Sequence, residues 1–255
     1  MIDSHCHLDF SCFDSDRREV LNACQANNIH TILIPGTQAS AWNKQILLCQ
    51  EFSQLKFSLG LHPYFLDDFQ DQHLTLLADL LTANNGQVLA LGEIGLDFAI
   101  KVDPKVQQDV LEQQLGLAQT HKLPVILHHR HSHNELLRTL KHFPLSRGGV
   151  VHAFSGSLQE AQRYIDLGFK LGVGGTITYP RAVKTRDTIR HVPLSSLLLE
   201  TDAPDMPLMG KQGERNSPEN IPLVLQALQE LRAEPVEQVG RACEDNFADL
   251  FAVSD

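Results

Sequence analysis

Eight short aliphatic runs recur along this chain at intervals of 20 to 40 residues, with a stretch of helical apolar spacing or polar character after each. The runs are Ile2–Leu8, Thr31–Pro35, Phe57–His62, Val88–Leu96, Pro124–His129, Gly149–Phe154, Phe169–Val173 and Leu197–Asp202. Helical spacing occupies Arg17–Gln25, Ala39–Phe52, Gln72–Thr82, Val106–Thr120, Asn134–Lys141, Leu158–Leu167 and Arg181–Arg190, then Pro218–Leu231 and Val236–Phe251. No hairpin signal joins neighbouring runs, so the strands must be parallel, with right-handed helical crossovers. Eight such units in 255 residues predict a closed α/β (β/α)8 barrel, the TIM barrel, with a doubly wound open sheet as the alternative. No linker or low-complexity segment breaks the chain, so residues 1–255 are expected to form one domain. Met206–Asn220 is the one polar loop with length enough for a lid.

Composition narrows the function. The hydrophobic share of 42% supports a sizeable core, and 20% charged residues are too few for disorder. The net charge of -10 gives no general attraction for a nucleic-acid backbone, so a phosphate-bearing substrate would have to be held locally. Five cysteines without CxxC spacing read as free thiols of a reducing compartment. No signal peptide precedes Ile2-Asp3-Ser4-His5, and no apolar run reaches the ~18 residues of a membrane span. These features predict a cytoplasmic protein without membrane contact, and no obligate protein partner is evident.

The polar residues within the runs carry the chemistry. Val88–Asp97 is aliphatic apart from Glu93, its glycines and its final Asp, and a carboxylate buried there needs compensation for its charge. His5 and His7 are two apart on a strand and therefore project to one face, with Cys6 on the other. The fifth run ends in His128-His129-Arg130, the sixth holds His152, and the eighth ends in Glu200-Thr201-Asp202. Strand alternation groups His128 with Arg130 and turns His129 away. In a barrel the carboxyl ends of the strands converge on one mouth. His5, His7, Glu93, His128, His152 and Asp202 would meet there, and imidazole with carboxylate suits Zn²⁺, Mn²⁺ and related divalent ions. Six such groups exceed one tetrahedral site, which predicts two metals bridged by Glu93. His30, His73, His121, His142 and His191 lie near helix ends or in polar stretches, and His131 and His133 are expected not to ligate.

The chain resembles the TatD family of metal-dependent deoxyribonucleases, within the amidohydrolase-like barrels. The resemblance runs through IDSHCHLDF, LGLHP, ALGEIGLD, LPVILHHR, VVHAFSGS, LLLETDAPDMP, RNSPENIP and the terminal DNFADLF. The run Gly172–Arg181, with Pro207 after ETDAPDM, is similar to the YjjV-like subgroup. The resemblance implies that the six residues above are divalent-metal ligands and that His62 and Arg130 contact phosphate. It also implies two divalent ions (Zn, Mg or Mn) and removal of nucleotides from DNA 3′ ends. Two stretches at the mouth depart from the family pattern, Phe98-Ala99-Ile100 after Asp97 and His-His-Arg-His at 128–131. The chemistry assigns Asp202 as both ligand and acceptor of a proton from water. Arg130 could grip a phosphate bidentately. Glu200, on the face of Asp202 but one layer deeper, would orient a ligand histidine, and Asp97 would cap a loop. The alternative activity is hydrolysis of a small amide, ester or lactone. An alternative of another class, a non-catalytic metal-binding or scaffold protein, is disfavoured by the presence of Asp202.

Overall fold

All eight runs are strands in the computed structural model, which describes residues 1–251, so the last four residues of the expected domain lie outside the described residues. The strands are β1 (Ile2–Asp3), β2 (Thr31–Ile34), β3 (Leu55–Leu59), β4 (Val88–Asp97), β5 (Val125–Arg130), β6 (Gly149–Val151), β7 (Phe169–Val173) and β8 (Leu197–Leu199). Each pairs in parallel with the next, in the order β1 to β8. The seam is closed by the chain just beyond β1 and β8. Ser4 N–H donates to the Leu199 carbonyl, and Asp202 N–H to the His5 carbonyl, each at 2.9 Å. The protein is thus a (β/α)8 barrel, and the open-sheet alternative falls away.

The helices follow as the spacing predicts: α1 (Arg17–Ala26), α2 (Ala39–Glu51), α3 (Asp71–Ala83), α4 (Pro104–His121), α5 (His133–His142), α6 (Leu158–Asp166), α7 (Val183–His191), α8 (Ile221–Leu231) and α9 (Val236–Phe251). Local chemistry fixes several starts. Asp103 accepts a hydrogen bond from Lys105 N–H at 2.8 Å, with Pro104 opening α4. Ser157 and Glu160 form a reciprocal capping box at α6.

Period two sorts the strand residues into two cores. Ile32, Ile34, Val125, Leu127, Val151, Leu197 and Leu199 pack in the larger cluster, with the helices. Their neighbours Leu33, Ile126, Val150 and Leu198 form a separate cluster with Phe247, Leu250 and Phe251 of α9. This second cluster fills the inside of the barrel, and α9 closes its floor. The inward positions continue upward as polar residues: His128 is two beyond Ile126, His152 two beyond Val150, and Glu200 and Asp202 two and four beyond Leu198. The interior is therefore apolar below and ionisable at the mouth.

Two expectations change. The first, sixth and eighth strands are shorter than the runs, so His5, His7, His152 and Asp202 lie just past the ladders. Ala153 and Asp202 take φ of 44° and 56°, a left-handed turn that no ladder accommodates. The Met206–Asn220 loop is also tied down rather than free as a lid. The Asn216 amide donates to the carbonyls of Thr201 and Asp205 at 2.9 and 2.8 Å, and Arg215 pairs with Asp16. Among the described residues, no helix is long and apolar enough to cross a membrane. All five cysteines are free.

Candidate metal centre

Glu93 is 1% exposed and divides its two oxygens between two groups of side chains. Oε2 lies 3.2 Å from His5 Nε2 and 3.6 Å from His7 Nε2, and Asp202 Oδ1 stands 3.5 and 3.6 Å from the same two nitrogens. Oε1 lies 2.9 Å from His152 Nε2 and 3.1 Å from His128 Nδ1, which are 3.3 Å from each other. Donor atoms around a tetrahedral ion with bonds of ~2.1 Å are ~3.4 Å apart. The separations of 2.9–3.6 Å lie near that spacing, so the residues would suit one divalent ion on each side of Glu93. The first half offers four protein donors. The second offers three, which leaves a position open to water or substrate.

The electrostatics agree with cations at this place. Burial alone would raise the Glu93 carboxyl, but the surrounding histidines, His152 foremost, hold it well below the ordinary carboxylate range. Burial likewise disfavours charge on His152 and His128, yet their carboxylate partners raise both imidazoles. Burial lifts the Asp202 carboxyl to about 6, against the pull of His152 and His5.

The far nitrogens of the imidazoles decide which atoms face the centre. His128 Nε2 lies 3.2 Å from Asp97 Oδ2, which leaves Nδ1 for the centre. His152 Nδ1 faces Glu200 Oε1 at 3.7 Å, beyond a direct hydrogen bond. Glu200 is fully buried, accepts from Ala153 N–H at 2.5 Å, and fits only because position 172 is glycine. A Cβ on Gly172 would stand 2.2 Å from Glu200 Oε2. The rings of His5 and His152 stack at 3.9 Å, and one nitrogen of each lies within 4.8 Å of a Glu200 oxygen. His5 Nδ1, His152 Nδ1 and Glu200 Oε2 are buried without partners. If each ring gives Nε2 to a metal, its Nδ1 must carry a proton, and Glu200 is a buried acceptor beside both rings.

His62 is different. Its Nε2 lies 3.2 Å from Glu93 Oε1, which would suit a ligand. However, its Nδ1 already accepts the N–H of Tyr64 at 3.0 Å. A neutral imidazole then carries its proton on Nε2 and is a donor there, not a metal ligand. Burial pushes His62 down to about 4, so it stays neutral near pH 7.

Thus the structure gathers His5, His7, Glu93, His128, His152 and Asp202 around one point and places His62 beside them. Arg130 sits exposed at the end of β5, near Asp97 but outside the walls of the metal pocket. His129 turns away and stacks on His133 at 4.2 Å, as alternation predicts. His133 is occupied by Tyr164 and the Ser155 carbonyl, and exposed His131 stands apart. Asp97 does more than the loop cap read from sequence. It accepts from Ala99 N–H at 2.8 Å and also meets His128. The missed signal was period two, since Glu93, Gly95 and Asp97 share the inward face of β4. Phe10 and Thr37 also line the metal pocket, Phe10 stacked on His7 at 4.7 Å. No pattern in their segments marks them.

Comparison with known proteins finds relatives along the whole chain. The chain is 47% identical over 254 residues to the uncharacterized metal-dependent hydrolase YjjV of Escherichia coli strain K12, covering 99% of this chain and 98% of that one. The crystal structure of that protein superposes with a TM-score of 0.96, covering 100% of this chain and 98% of the other. A relative from Erwinia billingiae, named 3′-5′ ssDNA/RNA exonuclease TatD, is 31% identical over 259 residues, 98% of each chain. The family model described as TatD related DNase matches residues 2–252, and this chain belongs to the TatD family of metal-dependent hydrolases.

Proposed function

We propose that this protein is a phosphodiesterase dependent on two divalent metal ions that removes nucleotides from DNA 3′ ends. The observation that carries the proposal is the division of Glu93 between two sets of histidines at the barrel mouth. A bound ion pair would supply hydroxide near neutral pH and offset the charge that builds on a phosphodiester in the transition state. The assigned ligands are His5, His7, Glu93 and Asp202 on one side and Glu93, His128 and His152 on the other. Asp202, whose Oδ1 stands beside His5 and His7 at the mouth, can take the proton from the attacking water. His62 Nε2–H can donate to a phosphate oxygen, because Tyr64 N–H fixes its tautomer. Exposed Arg130 can hold a neighbouring phosphate bidentately. The name of the Erwinia relative supports a nucleic-acid substrate.

One observation favours a second reading. No Lys or Arg lines the metal pocket, which suits a small neutral amide, ester or lactone. The test is metal-reconstituted protein on linear and circular single-stranded DNA at equal concentration, beside a panel of esters and amides. The proposal expects the linear form to be shortened and the circle spared. Equal cutting of both would refute the end preference. An intact linear strand with brisk ester or amide turnover would establish the second reading.

A further inference from the structure

A second cavity opens beside the metal pocket, and the wall between them is aromatic. It measures about 490 Å³ against about 340 Å³ for the metal pocket, and Tyr64 and Phe65 line both. These residues follow directly on His62, whose Nδ1 takes the Tyr64 N–H and whose Nε2 reaches Glu93. The aromatic wall is therefore fixed to the metal centre through one imidazole. Tyr64 is 61% exposed, with its ring 5.2 Å from that of Phe65 in an edge contact. Most of its side chain is therefore accessible to a ligand.

We propose that this cavity is a nucleobase subsite, which takes the base of the nucleotide beside the scissile phosphodiester while the phosphate lies at the metal pocket. The inference rests on the phosphodiesterase reading above. Three features select a base. The volume lies in the ordinary range for small-molecule sites. Tyr64, Phe65 and Phe69 give the otherwise mostly polar cavity an aromatic side suited to a flat ring. Asp67, Asp68 and the two glutamines Gln38 and Gln70 provide acceptors for exocyclic amino groups. With two carboxylates and no Lys or Arg in the lining, the cavity repels a phosphate. Base–aromatic stacking is sequence-tolerant because every base offers a π face. The subsite therefore adds affinity for a nucleotide chain where the net charge of -10 gives none.

The test uses oligonucleotides with one abasic position moved stepwise from the 3′ end, and a fully abasic strand as a diester with no base or other flat ring. With metal-loaded wild-type protein, one abasic position flanking the scissile bond raises KM at least about tenfold, within the range such a stack supplies. Ser40 is exposed on the first turn of α2 and lines only the second cavity, so Ser40→Trp fills it without entering the metal pocket. This variant raises KM for the intact oligonucleotide by a similar factor, and the abasic position then has no further effect. The ratio of KM for oligonucleotide to KM for the diester reports the subsite alone. A 2-aminopurine at the sensitive position loses fluorescence on binding to wild type and not to Ser40→Trp. If DNA is cut but no abasic position changes KM more than twofold, the subsite is overturned and the phosphodiesterase stands. Equal loss of oligonucleotide and diester turnover in Ser40→Trp also overturns it. If DNA is not cut while esters or amides are hydrolysed, both proposals fall together.

Discussion

Glu93, Asp202 and Glu200 are three buried or nearly buried carboxylates with different expected roles, and substitution separates them. Glu93 serves both halves of the centre, so Glu93→Gln removes the charge that both ions need and should release metal before anything else. Asp202→Asn keeps the shape but loses basicity. It is expected to fold normally and to lose turnover by about 10²–10⁴, the scale of a lost general base. Full activity in that variant, with wild-type metal content, would show that Asp202 is not the base. Glu200 touches neither half through a direct ligand atom, yet it faces the far nitrogen of His152 and lies beside His5. Glu200→Gln presents an amide donor to rings that must themselves donate. It should weaken metal binding about 10–100-fold, measured by competition with a chelator. Unchanged affinity would mean that the two imidazoles are held without it.

Among the elements, the seam between β1 and β8 is the most exposed to perturbation, because both strands are short. Asp3 bridges them. Its carboxyl group accepts from Thr201 Oγ1 at 2.6 Å and from Thr201 N–H at 3.0 Å, and both residues are fully buried. Thr201→Val keeps the shape and deletes the hydroxyl donor. The loss is expected to be about 1–3 kcal/mol, read from urea unfolding of the metal-free protein. Burial lifts the Asp3 carboxyl to about 8 despite these bonds. The folded chain then holds a proton that the unfolded chain releases near pH 3.8, so this group makes stability fall as pH rises from about 4 to about 8. Asp3→Asn should remove that part of the slope, and an unchanged slope would show that Asp3 is ionised in the fold.

Over the whole molecule, the charge of -10 and the few cations near the mouth limit how DNA can be held. One or two phosphate contacts predict a slope of log affinity against log salt of only about -0.7 to -1.4 for a single strand. A much steeper slope in a fluorescence anisotropy titration would reveal a phosphate track elsewhere on the surface. The metal centre ties inward positions of five segments and thereby links distant parts of the barrel. Reconstitution should bring about two ions per chain. Each site filled to 100 times its dissociation constant should add about 2.7 kcal/mol of stability and raise the melting temperature accordingly. No bound divalent ion after reconstitution would refute the centre, and a single ion would restrict it to the four-donor half.

The sequence by itself determined the barrel and the membership of its mouth. Eight aliphatic runs separated by helical spacing leave few other topologies, and period two along each run says which polar residues share an inward face. That is why His128 could be chosen over His129, and why His5 and His7 could be read as a pair. Tertiary structure decided what depends on atoms from different segments. It divided the two oxygens of Glu93, brought Asp97 to His128, and set Glu200 behind both His5 and His152. It also gave His62 its tautomer through Tyr64 N–H, and it tied down a loop that looked free. A strand's period fixes the direction in which a side chain points, but distance and proton position depend on what the neighbouring strands place opposite it.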